Sequence, residues 1–262
     1  MCWIAIATAP FAVVFALVSQ LGLPSWVFPA YGIFFFICFV KLLEWLLSKH
    51  AVLGSGAKIE LIDEHDTRGQ SLLDSSAQLF DWAEDNEFDW LGAYWLIFPP
   101  VLKVFVASWQ ESEGLIRVSR VIEPSSDSIQ VTSALSGEAW SRLNTTNSSR
   151  SYYGPRAFGN FGQTFEGVEV DELLRLHKEG LGFIRNRFGM RAVPAEGNPV
   201  QHEFDCARAE QAHRYKLWFW TERSVIWSVR KRRYMNETVA EQYSNYDSMR
   251  GSSIFREDRY RR

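Results

Sequence analysis

The residues best able to do chemistry are few and scattered. His202, Cys206 and His213 stand four and seven positions apart; at the helical 100° per residue they fall within about 40° of one another. Zinc accepts imidazole and thiolate, but usually at tighter spacings and with four ligands. His202 and His213 would also lie about 16 Å apart along a straight helix, too far to share one ion. A His202–Cys206 half-site is the most this cluster offers, and no metal is assigned. Asp63-Glu64-His65-Asp66 would attract a divalent cation, but it lacks the spacing and the glycine of a calcium loop. It reads as a solvated linker.

Gly180-Leu181-Gly182 lacks the third glycine and the preceding strand of a dinucleotide site. The sequence contains no phosphate-binding Gly-x-x-x-x-Gly-Lys loop, no Gly-x-Ser-x-Gly elbow and no His-Glu-x-x-His pair. His177 stands among leucines and reads as structural. No catalytic residue and no cofactor is assigned, although catalytic groups can converge in space without a motif. Cys2, Cys38 and Cys206 form no disulfide framework, as in a reducing compartment. Asn-x-Ser/Thr matches at Asn144, Asn147 and Asn236 are taken as chance.

Two groups remain as binding candidates. Thr145–Gly167 is rich in Ser, Tyr, Gly and Phe, and long loops of this kind often carry function. Tyr152, Tyr153, Phe158, Phe161 and Phe165 would either cover a sheet face, the favoured role, or line a partner site. The second group is a basic aromatic segment over 200–236, with a long helix expected from Phe204 to Met235. Trp218, Trp220 and Trp227 lie beside Arg230-Lys231-Arg232-Arg233. Aromatic rings next to cations suit a membrane interface carrying anionic lipid. A helix that merely covers the core, with a solvated basic end, is the favoured alternative. Four basic residues are a weak nucleic-acid footprint.

The elements that must position these residues are uneven in character. The 262 residues carry a formal charge of −3, but the small total is a cancellation. Residues 60–89 hold ten acids against one base, whereas residues 206–262 carry a net charge of +6. Such asymmetry suggests an anionic partner or contact between the two parts. Residues 1–40 contain no Asp, Glu, Lys, Arg or His. Cys2–Leu21 and Trp26–Leu47 are each long enough for the roughly 30 Å of a bilayer. The short joint Gly22-Leu23-Pro24-Ser25 permits only an antiparallel hairpin. Residues 1–50 are therefore expected to form a transmembrane helical hairpin, integral to the bilayer. Lys41, Lys49 and Lys58 favour both termini and the following domain on the cytoplasmic side. Leu91–Trp109 is also apolar, but Pro99-Pro100 and Lys103 interrupt it. It reads as two strands, with a third membrane helix as the alternative.

After a linker over 51–70, a soluble α+β domain is expected over 71–189. A helix over 71–86 precedes an antiparallel meander of about five strands at 88–98, 101–110, 115–122, 128–135 and 138–146. A helix over 170–187 follows, with Gly189 able to end it. Residues 190–199 read as a second linker. Residues 237–262 read as a polar tail whose composition leaves disorder open. The leading functional expectation is a membrane-anchored, non-enzymatic module for protein or lipid contact, with an unknown protein partner and possible anionic lipid headgroups. The alternatives are a membrane-bound enzyme with a pocket under the 145–167 loop, and an accessory subunit of a transport or secretion complex.

Overall fold

The structure is a computed structural model, and it describes residues 58–98, 102–148, 159–195, 198–214 and 235–247. Contacts divide the chain between Ala51 and Val52, and all the described residues belong to the second unit. The expected hairpin, the tip of the aromatic loop and most of the basic aromatic segment lie outside the described residues. No described helix is long and apolar enough to cross a membrane.

The described fold is mixed α+β, built on a mostly antiparallel sheet. In chain order the elements are β1 (Lys58–Leu61), α1 (Thr67–Asp74), α2 (Ala77–Asp85), β2 (Phe88–Phe98), β3 (Leu102–Glu111), β4 (Arg117–Glu123), β5 (Ser126–Leu135), β6 (Arg142–Thr146), β7 (Asn160–Thr164), α3 (Val170–Phe188), β8 (Ala192–Val193), α4 (Pro199–Arg214) and α5 (Val239–Asp247). The strands form one sheet in the order β1-β2-β3-β4-β5-β6-β7, with β8 attached to β5. β1 to β6 pair antiparallel, and β7 joins β6 in parallel.

The apolar stretch over 91–109 is thus the β2–β3 pair rather than a helix, with Trp95 opposite Phe105 and Ile97 opposite Lys103. The register shifts between Trp90 and Gly92. Such a bulge adds one residue and resets the two-residue alternation. It keeps Trp90 on the same side as Trp95, where it meets Trp109 at 4.9 Å and Phe80 at 4.7 Å. Gly92 makes this possible at φ +133°, where an added Cβ would come within 2.8 Å of the Tyr94 hydroxyl.

The helices α1, α2 and α3 cover one face. Leu79 and Ala83 of α2 and Leu173, Leu174 and Leu176 of α3 pack into a core with Trp95, Phe105, Trp109, Val118 and Val131. In α3 the buried positions recur every three to four residues, as an amphipathic helix requires. Asp171 and Glu172 begin α3, Arg185 and Arg187 finish it, and Gly189 ends it in the left-handed conformation, all in keeping with the helix dipole and C-cap chemistry.

Several local expectations are corrected. The helix over 71–86 is two helices that meet at Ser75-Ser76. Their hydroxyls bond back to the Leu72 carbonyl at 2.7 and 3.0 Å, a local competition with the helical ladder. Arg120 of β4 braces the joint, donating to the Ser75 carbonyl at 2.7 Å and to the Ser76 hydroxyl at 2.9 Å. The linkers over 51–70 and 190–199 contain β1 and β8, both short strands held by longer neighbours. The C-terminal helix starts at Pro199, not Phe204. Asn198 caps it by accepting from Val200 N at 2.9 Å, and a proline at the first helical position loses no hydrogen bond. Met235 pairs with Thr164 in an isolated bridge. Within the polar tail, 239–247 is the helix α5, with Val239 fully buried.

Candidate functional site

Two polar constellations stand out, one on each face of the sheet. On the helix-covered face, β5, β6 and β7 present Ser133, Thr145 and Gln163 to α3. His177 of α3 is 0% exposed. Its Nε2 lies 2.9 Å from the Ser133 hydroxyl and its Nδ1 lies 2.8 Å from that of Thr145. Gln163 donates from Nε2 to Thr145 Oγ1 and to the Leu176 carbonyl, both at 2.9 Å, and accepts from Val239 N at 3.0 Å. Its amide orientation follows from these partners. With Thr145 Oγ1 receiving the Gln163 proton, the Thr145 hydroxyl can donate to Nδ1, and Nε2–H then donates to Ser133. A Ser–His–Thr grouping resembles hydrolytic machinery only in composition. Both ring nitrogens are engaged and no solvent reaches them. Burial pushes the imidazole pKa down to about 3, so at neutral pH it is an uncharged strut.

On the opposite face, Arg117 of β4 and Arg142 of β6 stand on one side of the sheet with Thr132 and Ala134 of β5. α4 lies against them. One carboxylate serves both guanidiniums: Glu203 Oε2 pairs with Arg117 Nη2, and Glu203 Oε1 is 3.8 Å from Arg142 Nη1. Arg142 Nη1 also donates to the Glu203 carbonyl at 3.3 Å. Arg117 is buried, and this, with the charge of Arg142, pulls its pKa down to about 10, so it stays charged at neutral pH. A cavity of about 30 Å³ adjoins the pair, room for a few water-sized groups. His202, Glu203 and Cys206 of α4 line it together with Gln110, Arg117 and Arg142.

His202 and Cys206 do come together, with Sγ 3.4 Å from Nε2. Among the described residues no group of three or more His, Cys, Asp or Glu is arranged to hold a metal. Burial raises the Cys206 pKa against the opposing pull of Arg142 and Arg117, so the thiol stays protonated at neutral pH. The acidic run 63–66 folds into a turn. Asp63 Oδ1 accepts from the backbone N of His65 and Asp66 at 2.9 and 3.0 Å. Asp66 caps α1 through Gly69 N and accepts from the Trp95 indole; these bonds lower its pKa, the Gly69 bond most.

Phe161 and Phe165 are core residues. Phe161 sits on β7 against Phe188 at 5.3 Å, and Phe165 joins the core beneath α2 and α3. In the described fold neither lines an open surface. Tyr152, Tyr153, Phe158, Trp218, Trp220, Trp227, Arg230, Lys231, Arg232 and Arg233 lie outside the described residues. Arg117, Arg142 and Glu203 escaped sequence reasoning because three separate elements supply them. The available hint was weak: Arg117 opens β4, which also carries Ser119, Arg120 and Glu123, so nothing in the sequence marks it as the buried charge that demands a partner. Comparison with known proteins finds no match among family models, curated proteins or solved structures.

Proposed function

We propose that the chain is a membrane-anchored protein whose α+β domain is a non-enzymatic module for protein or lipid contact, held at the cytoplasmic face by the hairpin over 1–50. The observation that carries the non-enzymatic reading is the sealed His177 network. The imidazole that is fully buried among the described residues is spent on tying α3 to β5 and β6. The charge-free first forty residues and the basic aromatic run 215–233 support the membrane side of the reading. Alkaline carbonate extraction tests the anchor: the full chain should stay in the pellet and leave it only with detergent. Release by carbonate would overturn it. Cross-linking in native membranes, paired with flotation on anionic and zwitterionic vesicles, tests the module. A chain that gives neither specific cross-links nor salt-sensitive flotation is not one. A reporter fused after Lys58 tests the orientation, which a lumenal or periplasmic signal would reverse.

A second reading, a membrane-bound enzyme, draws on one observation: α4 brings His202 and Cys206 together beside two arginines. Its site would then be this cavity. An active thiol requires a thiolate. Because burial raises the Cys206 pKa, alkylation of Cys206 at neutral pH is expected to be slower than that of a free cysteine. Alkylation several-fold faster, followed by mass spectrometry of the 200–214 peptide, would favour the enzyme.

A further inference from the structure

We infer that Arg117 and Arg142 form an anion seat that the chain's own Glu203 occupies, and that a phosphate group competes with Glu203 for it. The arrangement is that of a bound oxyanion. Two guanidiniums from strands on either side of β5 converge on one carboxylate, each facing a different oxygen. The carboxylate belongs to a helix and not to the sheet, so it can leave without breaking a strand. The guanidiniums belong to β4 and β6, interior strands whose backbones are paired on both sides. The cavity of about 30 Å³ opens beside them, and Thr132 and Gln110 add polar groups to its lining.

Burying such a triad has a cost. An internal ion pair commonly adds no more stability than a packed apolar group of the same volume. Here the two guanidiniums also oppose each other, since Arg142 lowers the Arg117 pKa. A phosphate, with more oxygens and up to two charges, can span two planar guanidiniums at least as well as a single carboxylate. The cavity by itself has room for about two water-sized groups, so a phosphate head fits only with the space that Glu203 vacates. Both a phosphorylated small molecule and a lipid headgroup offer that chemistry. The inference holds whether or not the chain is anchored in a membrane.

Displacing Glu203 would loosen α4, whose last described residue, Arg214, leads into the basic aromatic segment.

The test uses the full chain in neutral detergent and titrates inorganic phosphate against chloride at equal ionic strength. In the unaltered chain, phosphate should raise amide hydrogen exchange across 199–214 while β4 to β6 stay protected. Glu203→Gln should bind phosphate about tenfold tighter, because a competing charge has gone. Glu203→Asp, which keeps the charge but withdraws it by one methylene, should fall between and serves if the Gln variant does not fold. Adding Arg142→Gln should abolish the gain. Titrating short-chain phosphatidic acid beside inorganic phosphate, in the same detergent, separates the sources. Binding to phosphate alone indicates a soluble ligand; binding to both indicates a headgroup. Phosphate that leaves α4 exchange unchanged, and binds the Glu203 variants no better than chloride does, overturns the inference. So does phosphate binding that survives Arg142→Gln.

Discussion

At the scale of single residues, the consequence of sealing His177 is a pH dependence with a definite sign. In the folded chain the imidazole pKa is about 3, against an ordinary value of 6.5. Above pH 6.5 neither the folded nor the unfolded state holds the proton, and the stability is complete. Below it the unfolded state takes up a proton that the folded state refuses, so stability falls with pH until about pH 3. Within that window the loss approaches about 1.4 kcal/mol per pH unit. His177→Leu should remove this part of the slope. It should also cost about 2–3 kcal/mol at pH 7, because the Ser133 hydroxyl is left buried without its partner and Thr145 keeps only Gln163. Urea melts of both chains between pH 7 and pH 4 check this. Parallel slopes in the two chains would show that other groups carry the acid sensitivity.

At the scale of elements, α3 shows how close approach decides the role of a residue. Gly180 and Gly182 both lie inside the helix, where glycine usually costs about 1 kcal/mol relative to alanine. A Cβ on Gly182 would meet nothing within 4 Å, whereas one on Gly180 would lie 3.1 Å from Leu143 and 3.2 Å from the Gln163 amide. That amide is tied to Thr145, Leu176 and Val239 and cannot yield cheaply. Gly182→Ala should therefore stabilise the domain by about 0.5–1 kcal/mol, and Gly180→Ala should destabilise it. Denaturant midpoints of the two variants read the opposite signs directly. The pair Gly180-Leu181-Gly182 was conspicuous in the sequence, but its use was not, because periodicity says nothing about which helix face approaches a strand. The same limit separates the strands that were legible from those that were not. β2 and β3 stand out in the sequence because they are long, apolar and rich in aromatic and β-branched residues, and their ends fall within a residue of expectation. β7, Asn160-Phe161-Gly162-Gln163-Thr164, has the composition of a loop. It is a strand because it pairs with β6 in parallel, a long-range contact that leaves no local pattern. The triad of Arg117, Arg142 and Glu203 was illegible for a related reason: its members come from three elements, with no fixed spacing between them.

At the scale of the whole molecule, the chain returns to close its own sheet. After α4 and the basic aromatic segment, Met235 bridges to Thr164, and Asn236 donates its N–H to the Thr164 carbonyl at 2.7 Å. α5 then begins with a reciprocal cap: Glu241 accepts from Thr238 N at 2.7 Å, and Thr238 Oγ1 accepts from Glu241 N at 3.2 Å. This is the Thr-x-x-Glu capping box, a signal present in what composition alone presents as a polar tail. Val239 is buried, and Tyr243 packs on Phe188 at 5.2 Å and on Phe161 at 6.2 Å. Residues 235–247 are thus part of the fold, and the described residues on either side of the basic segment, α4 and Met235, both contact the sheet. Ending the chain at Tyr234 should remove two apolar anchors worth about 1.5–3 kcal/mol each and leave Gln163 Oε1 without the Val239 N–H. Thermal unfolding should then show a loss of about 3–5 kcal/mol. Thr238→Ala should cost about 1 kcal/mol through the cap alone. A graded series, with Thr238→Ala mildest, Val239→Ala intermediate and truncation severest, is the expected outcome. A truncated chain that melts with the full-length chain would mean that α5 is a passenger on the sheet.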